Sequence, residues 1–164
     1  MYSCQQQAHK LINLNVRTEP IHGEHRPVID LTVETKESND VLSEFSPDLK
    51  AALYRKADAS DTQADLMADE PGYLPSLKFP AIGAIKYGYE GKGYETTVHL
   101  GLGGKSDIVL SETTIDKFSF ECHDGGTVIT KYRIIAHPKT EDIGRLAEMI
   151  QQEITLTLEP PKAE

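Results

Sequence analysis

The sequence predicts an α+β fold that is mainly β: an antiparallel β-sandwich or barrel of about eight strands with two short helices, 47–55 and 140–151. Three observations lead to this prediction. Apolar and polar residues alternate in segment after segment, glycine and proline turns separate these segments, and helical spacing is confined to two places. The 164 residues, 38% hydrophobic and 26% charged, suit a single soluble domain spanning 1–164.

The chain opens with two segments that we expect to pair as a hairpin. The alternating apolar positions are Ile12, Leu14 and Val16 in KLINLNVRT and Ile29, Leu31 and Val33 in VIDLTVETK. A period of two places each set on one buried face of a strand. The intervening EPIHGEHRP contains two prolines and a glycine, which predicts a loop at a long hairpin tip. Residues 1–9 are predicted to be a frayed tail.

Helical spacing of apolar residues begins in ESNDVLSEFSPDLKAALYRK. Ser46-Pro47 is typical of a helix start, because serine accepts hydrogen bonds from first-turn amides and proline tolerates the first helical position. The pattern predicts a short turn near 40–45 and then the helix 47–55. Residues 57–73, ADASDTQADLMADEPGY, contain no base and predict a mobile acidic loop.

The second half is predicted to be a series of strands. AIKYGYE and YETTVHLGL flank Gly91-Lys92-Gly93, which predicts a tight hairpin, and HDGG predicts a turn between DKFSFEC and TVITKYRIIA. The second helix, 140–151, has Thr140 as its expected cap. The last strand, ITLTLEPP, alternates again, and 160–164 are predicted to fray. Its expected buried residues are Ile154, Leu156 and Leu158.

The stretch HLGLGGKSDIVL resembles a phosphate-binding loop but does not fit one. The GxxxxGK[ST] pattern requires a glycine where this chain has His99. Such a loop must also open a helix, whereas Ser106 leads into an apolar, β-branched run. We therefore expect a glycine turn between two strands, and no nucleotide.

Catalytic and metal-binding patterns are weak. The sequence has no GxSxG elbow, which argues against one class of hydrolase, and we expect no enzyme. His22 and His25, with Glu24 between them, could hold a stray divalent ion, but a closed zinc site needs four ligands, so neither metal nor cofactor is expected. Cys4 and Cys122 are expected to be reduced thiols, not a disulfide.

Charge and hydropathy limit the kinds of partner that this protein is expected to bind. The formal net charge is −9, and the window from Glu34 to Glu70 holds ten acids and four bases. This balance disfavours duplex DNA and favours a basic protein surface. The candidate partner-binding residues are Glu44, Asp48, Asp58, Asp61, Asp65, Asp69 and Glu70. The sequence shows neither an apolar run of roughly 18 residues nor a secretory signal, which predicts a cytoplasmic protein without a membrane partner.

The strings LINLNVRTEPIHGEHRPVIDL, VLSEFSPDLKAALYR, HLGLGGKSDIVL and DGGTVITKYRI resemble small proteins encoded in phage early regions. This resemblance spans most of the chain. It implies a phage or prophage source and a role that touches DNA metabolism or host defence. It assigns no functional residue.

Three functions follow as hypotheses. The first is a non-catalytic phage-type protein that occupies a nucleic-acid-handling host or defence complex through its acidic surface. The second is an accessory single-stranded nucleic-acid-binding protein, in which aromatic residues stack on bases beside local cations. The residues of that alternative face are Tyr87, Tyr89, Tyr94, Lys131, Tyr132 and Arg133. The third is a structural or assembly protein, in which an exposed edge such as ITLTLE adds strands between chains.

Overall fold

The computed structural model describes residues 1–57, 72–101 and 106–163. These residues form nine strands and three short α-helices, with a 3-10 turn at Asn39–Val41. The strands are β1 (Cys4–Ile21), β2 (Glu24–Ser38), β3 (Tyr54–Arg55), β4 (Ser76–Leu77), β5 (Ala84–Tyr87), β6 (Gly91–His99), β7 (Ile108–His123), β8 (Thr127–Ala136) and β9 (Glu153–Glu159). The helices are α1 (Leu42–Phe45), α2 (Leu49–Leu53) and α3 (Thr140–Ala147).

Six of the strands close into a barrel. The order in the main sheet is β5-β7-β6-β9-β1-β2-β8, and β7 also pairs with β8. The ring therefore runs from β7 through β6, β9, β1 and β2 to β8 and back to β7. The mainly β, α+β class is confirmed, and of the two expected architectures the structure is the barrel.

The chain divides into two compact units. The first unit comprises 1–35, 86–119 and 131–164, and the second comprises 36–85 and 120–130. The sequence-based expectation of one domain, 1–164, stays a prediction.

The β1–β2 hairpin is longer than expected because its tip is a two-residue turn. His22 and Gly23 both have positive φ angles, 51° and 81°, as a type I′ turn requires. The ladder begins immediately at Ile21 opposite Glu24. The loop predicted at EPIHGEHRP therefore does not form: its prolines, Pro20 and Pro27, lie within β1 and β2.

The N-terminal residues are ordered. Frayed residues 1–9 were expected, but β1 begins at Cys4 and pairs with β9 from Cys4 opposite Leu158 to Lys10 opposite Glu153. The Tyr2 side chain is fully buried, and Cys4 is nearly so. The prediction fails because the partner strand lies about 150 residues away, which no local pattern reveals. At the other end, 160–163 follow β9 without regular secondary structure.

Aromatic side chains fill the barrel interior. The rings of Phe118 and Tyr132 stack with centroids 4.9 Å apart, and the ring of Tyr2 meets both edge-on at 5.4 and 5.5 Å. The Tyr94 hydroxyl donates to the backbone carbonyl of Tyr2 over 2.8 Å. These four side chains are fully or almost fully buried. Edge-on and stacked pairs of this kind add to the stabilisation from apolar burial.

The predicted hairpin around Gly91-Lys92-Gly93 does not form. β5 pairs with β7, and Gly91 is already the first residue of β6. A side chain at Gly91 would meet the Tyr94 ring, because a Cβ there would lie 2.5 Å from it. The glycine is therefore required by close packing rather than by a turn.

The helices occupy the predicted places but are shorter. The turn near 40–45 is confirmed, whereas the helix expected at 47–55 is reduced to Leu49–Leu53 because Tyr54 and Arg55 pair with β4. The second helix ends at Ala147 instead of 151, and Lys139 rather than Thr140 is its N-cap. The HDGG turn is confirmed, with positive φ angles at Gly125 and Gly126.

Inside the first unit, a buried histidine is held in one neutral tautomer. His9 Nδ1 lies 3.0 Å from the Gln7 carbonyl oxygen, which can only accept, so Nδ1 carries the proton and donates. Nε2 therefore accepts from the Tyr132 hydroxyl over 2.7 Å. Burial lowers the pKa of His9 to about 4, and the hydrogen bond to Gln7 opposes this shift without overcoming it.

We predict that His9 makes the protein less stable in mild acid. An unfolded histidine takes up a proton near pH 6.5 but folded His9 only near pH 4, so between these values the unfolded state binds more protons. The stabilisation is present above about pH 6.5 and is lost as the pH falls towards 4, by about 3 kcal/mol in total. Urea unfolding of the wild type and His9→Gln across this range measures it.

The His9→Gln variant is the control for the carboxylates, which titrate in both proteins. The free energy of unfolding should depend less steeply on pH in His9→Gln than in the wild type. Identical slopes would show that His9 does not titrate as its burial requires.

Candidate functional sites

Two of the seven predicted partner-binding acids lie in the described part of the chain. Glu44 is in α1 and Asp48 precedes α2, and both are exposed. Packing within the second unit fixes their helices: Leu42 and Leu53 are buried, and the Phe45 ring meets Phe120 with centroids 4.8 Å apart. The remaining five acids lie outside the described residues. They are Asp58, Asp61, Asp65, Asp69 and Glu70.

One base near these acids is already paired. The Lys50 ammonium lies 2.6 Å from the Asp40 carboxylate and also donates to the Gly72 carbonyl oxygen. The hydrogen bond from Lys50 holds the pKa of Asp40 below its usual range, although burial opposes this. Lys50 is therefore engaged within the unit and does not offset the exposed Glu44 and Asp48.

An exposed apolar loop follows β4 in the second unit. We call residues 78–83 the Phe79 loop. Phe79 is 54% exposed and Ile82 is 49% exposed. The Ile82 amide donates to the Phe79 carbonyl over 3.1 Å, so the loop turns back on itself. The sequence patterns considered above do not predict a site here. The signal that was missed is two large apolar residues, Phe79 and Ile82, on either side of Pro80.

Hydrogen bonds at both ends of β3 and β4 hold the Phe79 loop in place. The Lys78 amide donates to the Leu53 carbonyl, and the Leu77 amide donates to the Asp124 carboxylate over 3.1 Å. The Tyr54 hydroxyl donates to the His123 carbonyl over 2.8 Å. The loop is thus fixed at its root to α2 and to the β7–β8 turn.

The alternative nucleic-acid face is not assembled as expected. Tyr94 and Tyr132 were proposed to stack on bases, but both are buried in the barrel, which corrects that part of the prediction. Tyr89 is half-buried against the Phe118 ring, and Tyr87 is also half-buried. Closure of the barrel therefore places the Tyr94 and Tyr132 rings in the interior.

Arg133, the arginine of that face, belongs to a row of paired charges. Its guanidinium makes two hydrogen bonds to Asp116, at 2.8 and 2.6 Å, and Arg17 makes two to Asp30, at 3.0 and 3.2 Å. Arg17 also donates to Glu19. Burial raises the pKa of Asp30, but the contacts with Arg17, together with weaker effects of Arg133 and Asn15, outweigh it and lower that pKa. Bidentate pairing leaves these two arginines poorly placed to neutralise phosphates.

A carboxylate, an imidazole and a hydroxyl line up where β6 ends. His99 Nδ1 lies 3.1 Å from Asp107, and Nε2 lies 2.7 Å from the Thr157 hydroxyl. The carboxylate can only accept, so Nδ1 carries a proton and donates, and in the neutral imidazole Nε2 accepts from the Thr157 hydroxyl. The order resembles that of an acyl-transfer triad.

The surroundings of this trio indicate a structural clamp. The Thr157 hydroxyl also accepts from the Gln6 amide over 3.0 Å, and Thr157 is 6% exposed. The other Asp107 oxygen accepts from the Leu100 amide over 3.2 Å. These bonds tie β1, β6 and β9 to Asp107, which immediately precedes β7. Ser106 and Asp107 lead into a strand and not into the helix that a phosphate loop requires, while 102–105 lie outside the described residues.

Metal ligands and reactive thiols are also sparse. Across the residues that the structure describes, no three His, Cys, Asp or Glu side chains gather closely enough to hold a metal. His22 and His25 are exposed at the hairpin tip. Cys4 and Cys122 are not in disulfides, and burial raises the pKa of Cys122, which disfavours a reactive thiolate.

No protein-family model, curated protein or solved structure matches the chain. Among the described residues, none of the helices has both the length and the apolar character to cross a membrane.

We predict that Thr157→Val destabilises the protein by about 1–3 kcal/mol, because it removes the buried hydroxyl that bonds both the Gln6 amide and His99 Nε2. Thr97→Val is the matched control, since Thr97 lies directly opposite Thr157 in the β6–β9 ladder. Urea unfolding compares the two. A loss as small for Thr157→Val as for Thr97→Val would contradict the clamp.

Proposed function

We propose that this chain is a non-catalytic binding protein that docks on a basic protein surface through its second unit. The observation that carries the proposal is the exposure of Phe79 and Ile82, both about half exposed, in a strongly acidic unit. The sequence of that unit, 36–85 and 120–130, contains eleven acids and five bases. It therefore carries six of the nine net negative charges of the chain.

An exposed aromatic anchor with acids in the same unit suits protein docking. Large aromatic side chains supply much of the binding energy in protein interfaces, where they enter pockets on the partner. Charges outside the anchor steer the encounter and select the partner's sign. In the second unit, Phe79 supplies the anchor, while Glu44 and Asp48 supply exposed charge. The partner should present an apolar pocket in a basic surface.

The resemblance to phage early-region proteins extends this proposal to a class of partner. Proteins that handle nucleic acid carry basic surfaces for its phosphates, and an acidic protein can occupy such a surface in place of the nucleic acid. We propose a nucleic-acid-handling host or defence complex in the host cytoplasm, inhibited or redirected by this chain.

We predict that two sets of substitutions weaken docking by different routes. Phe79→Ala with Ile82→Ala removes the anchor and should speed dissociation, whereas Glu44→Lys with Asp48→Lys reverses charge and should slow association. Each double variant should lose at least about tenfold in affinity, about 1.4 kcal/mol. The partner is first captured from host lysate with the tagged chain after nuclease treatment. Surface plasmon resonance with the purified partner then measures both rates.

The matched control for charge is Glu112→Lys with Glu148→Lys, two exposed acids of the first unit whose reversal changes the net charge equally. This control should bind like the wild type. Equal weakening by both reversals would mean that only net charge matters. Unchanged binding by the Phe79 and Ile82 variant would remove the loop from the interface.

A second prediction separates protein docking from nucleic-acid binding. Because Tyr94 and Tyr132 are buried and Arg133 is paired with Asp116, we expect no binding of a fluorescent single-stranded oligonucleotide at low salt. Fluorescence anisotropy at tens of micromolar protein measures this. Saturable binding that weakens as salt rises would favour the accessory nucleic-acid role instead.

A further inference from the structure

One edge of β1 is unpaired over much of its length. β9 covers that edge only from Cys4 to Lys10, and backbone bonds with Gln151 and Gln152 continue it to Leu11. From Asn13 to Ile21, no strand of the described chain pairs with β1 except β2 on its other side. The expected exposed edge, ITLTLE, is instead β9, which lies between β6 and β1.

The free edge presents an ordered row of backbone groups. In a hairpin with a two-residue turn, the flanking pair, here Ile21 and Glu24, exchanges both backbone hydrogen bonds. Hydrogen-bonded and non-hydrogen-bonded pairs alternate along the unbroken ladder from this pair. The N–H and C=O groups of Leu14, Val16 and Thr18 therefore point away from β2. Pro20, which has no N–H, lies at the end of this row.

The same three side chains form a face that is open at the edge. On β2, Ile29 and Leu31 are fully buried, and they lie opposite Val16 and Leu14. Val16 itself is 50% exposed. The segment Asn13–Glu19 contains neither lysine nor proline, the residues that commonly protect free edges. A further strand at this edge would form hydrogen bonds with the outward backbone groups and cover the Val16 side chain.

We propose that the edge pairs with the same edge of a second copy of this chain, antiparallel about a two-fold axis at Val16. Val16 then faces its own copy, Leu14 faces Thr18 of the second copy, Asn15 faces Arg17 and Asn13 faces Glu19. The three outward-directed residues all form hydrogen-bonded pairs, and no like charges meet. The segment can thus pair with itself with its outward backbone groups hydrogen-bonded, its apolar side chains together and no like charges in contact.

Neighbouring registers are worse for identifiable reasons. An axis at Arg17 would place its guanidinium against its own copy. An axis at Thr18 would set Pro20 opposite Val16 and lose hydrogen bonds. An axis at Asn15 would shorten the pairing, because Gln151 and Gln152 already occupy the edge before Asn13.

The test uses charge at the two-fold axis. Sedimentation velocity of the full chain, from micromolar to submillimolar concentrations, should show a concentration-dependent dimer for the wild type. Val16→Lys alone and Val16→Glu alone should each raise the dimer Kd by at least about tenfold, because like charges meet at the axis. An equimolar mixture of the two variants should restore the dimer, since Lys then faces Glu.

Val109→Lys is the matched control, because Val109 is similarly exposed, at 55%, on another strand of the first unit. It should dimerise like the wild type. A wild type that stays monomeric, or a dimer that both Val16 variants retain, would overturn the proposal. Failure of the mixture to associate would exclude an axis at Val16. None of these outcomes involves the Phe79 loop, so docking of a partner is tested separately.

Discussion

The pairing of β7 with β8 closes the sheet, and the rest of the barrel depends on this closure. In a closed sheet, a strand has no free edge wherever it is paired on both sides. The closed sheet also encloses a volume that side chains must fill. Here Tyr2, Tyr94, Phe118 and Tyr132 fill it. Each buried polar atom on these rings then needs a partner, because an unsatisfied hydroxyl would cost about 1–3 kcal/mol. The hydrogen bonds from Tyr94 to the Tyr2 carbonyl and from Tyr132 to His9 satisfy that requirement.

Closure also determines which residues remain for function. Aromatic rings that could stack on a ligand if the sheet were open are instead buried inside the barrel. The Arg17–Asp30 and Arg133–Asp116 ion pairs neutralise these charges locally. The features left over are of two kinds. One is the acid-rich second unit with its exposed Phe79 loop, and the other is the length of β1 that outruns its neighbour β9. The two proposals above follow from these features and stand on separate observations.

The sequence predicts the strands well where burial alternates locally. The apolar positions of β9, Ile154, Leu156 and Leu158, are buried as expected, because period two on a half-buried strand is a local property. It predicts poorly what depends on distant partners. Gly91 looks like a turn residue until Tyr94 packs against it. The N-terminal residues are predicted to fray from their local sequence, but pairing with β9 makes them part of the sheet.

The candidate sites likewise combine features that the local sequence reveals with features that depend on distant contacts. The acidity of the second unit is visible in composition, whereas the position of the Phe79 loop depends on hydrogen bonds from Lys78 to Leu53 and from Leu77 to Asp124. The exclusion of Tyr94 and Tyr132 from any stacking face depends on barrel closure. Alternation reveals that residues share a face, but only the assembled sheet decides which face is inside.

Val16 is the most informative departure from the alternation. Ile12, Leu14 and Val16 predict one buried face, and burial is instead incomplete along it, with Ile12 and Leu14 intermediate and Val16 half exposed. The pattern itself is sound, since the facing residues of β2 are fully buried. What is missing is a strand on the far side of β1. A hydrophobic alternation that one chain leaves half-covered, on an edge whose hydrogen-bonding groups are aligned and self-complementary, is best explained by burial in a second copy.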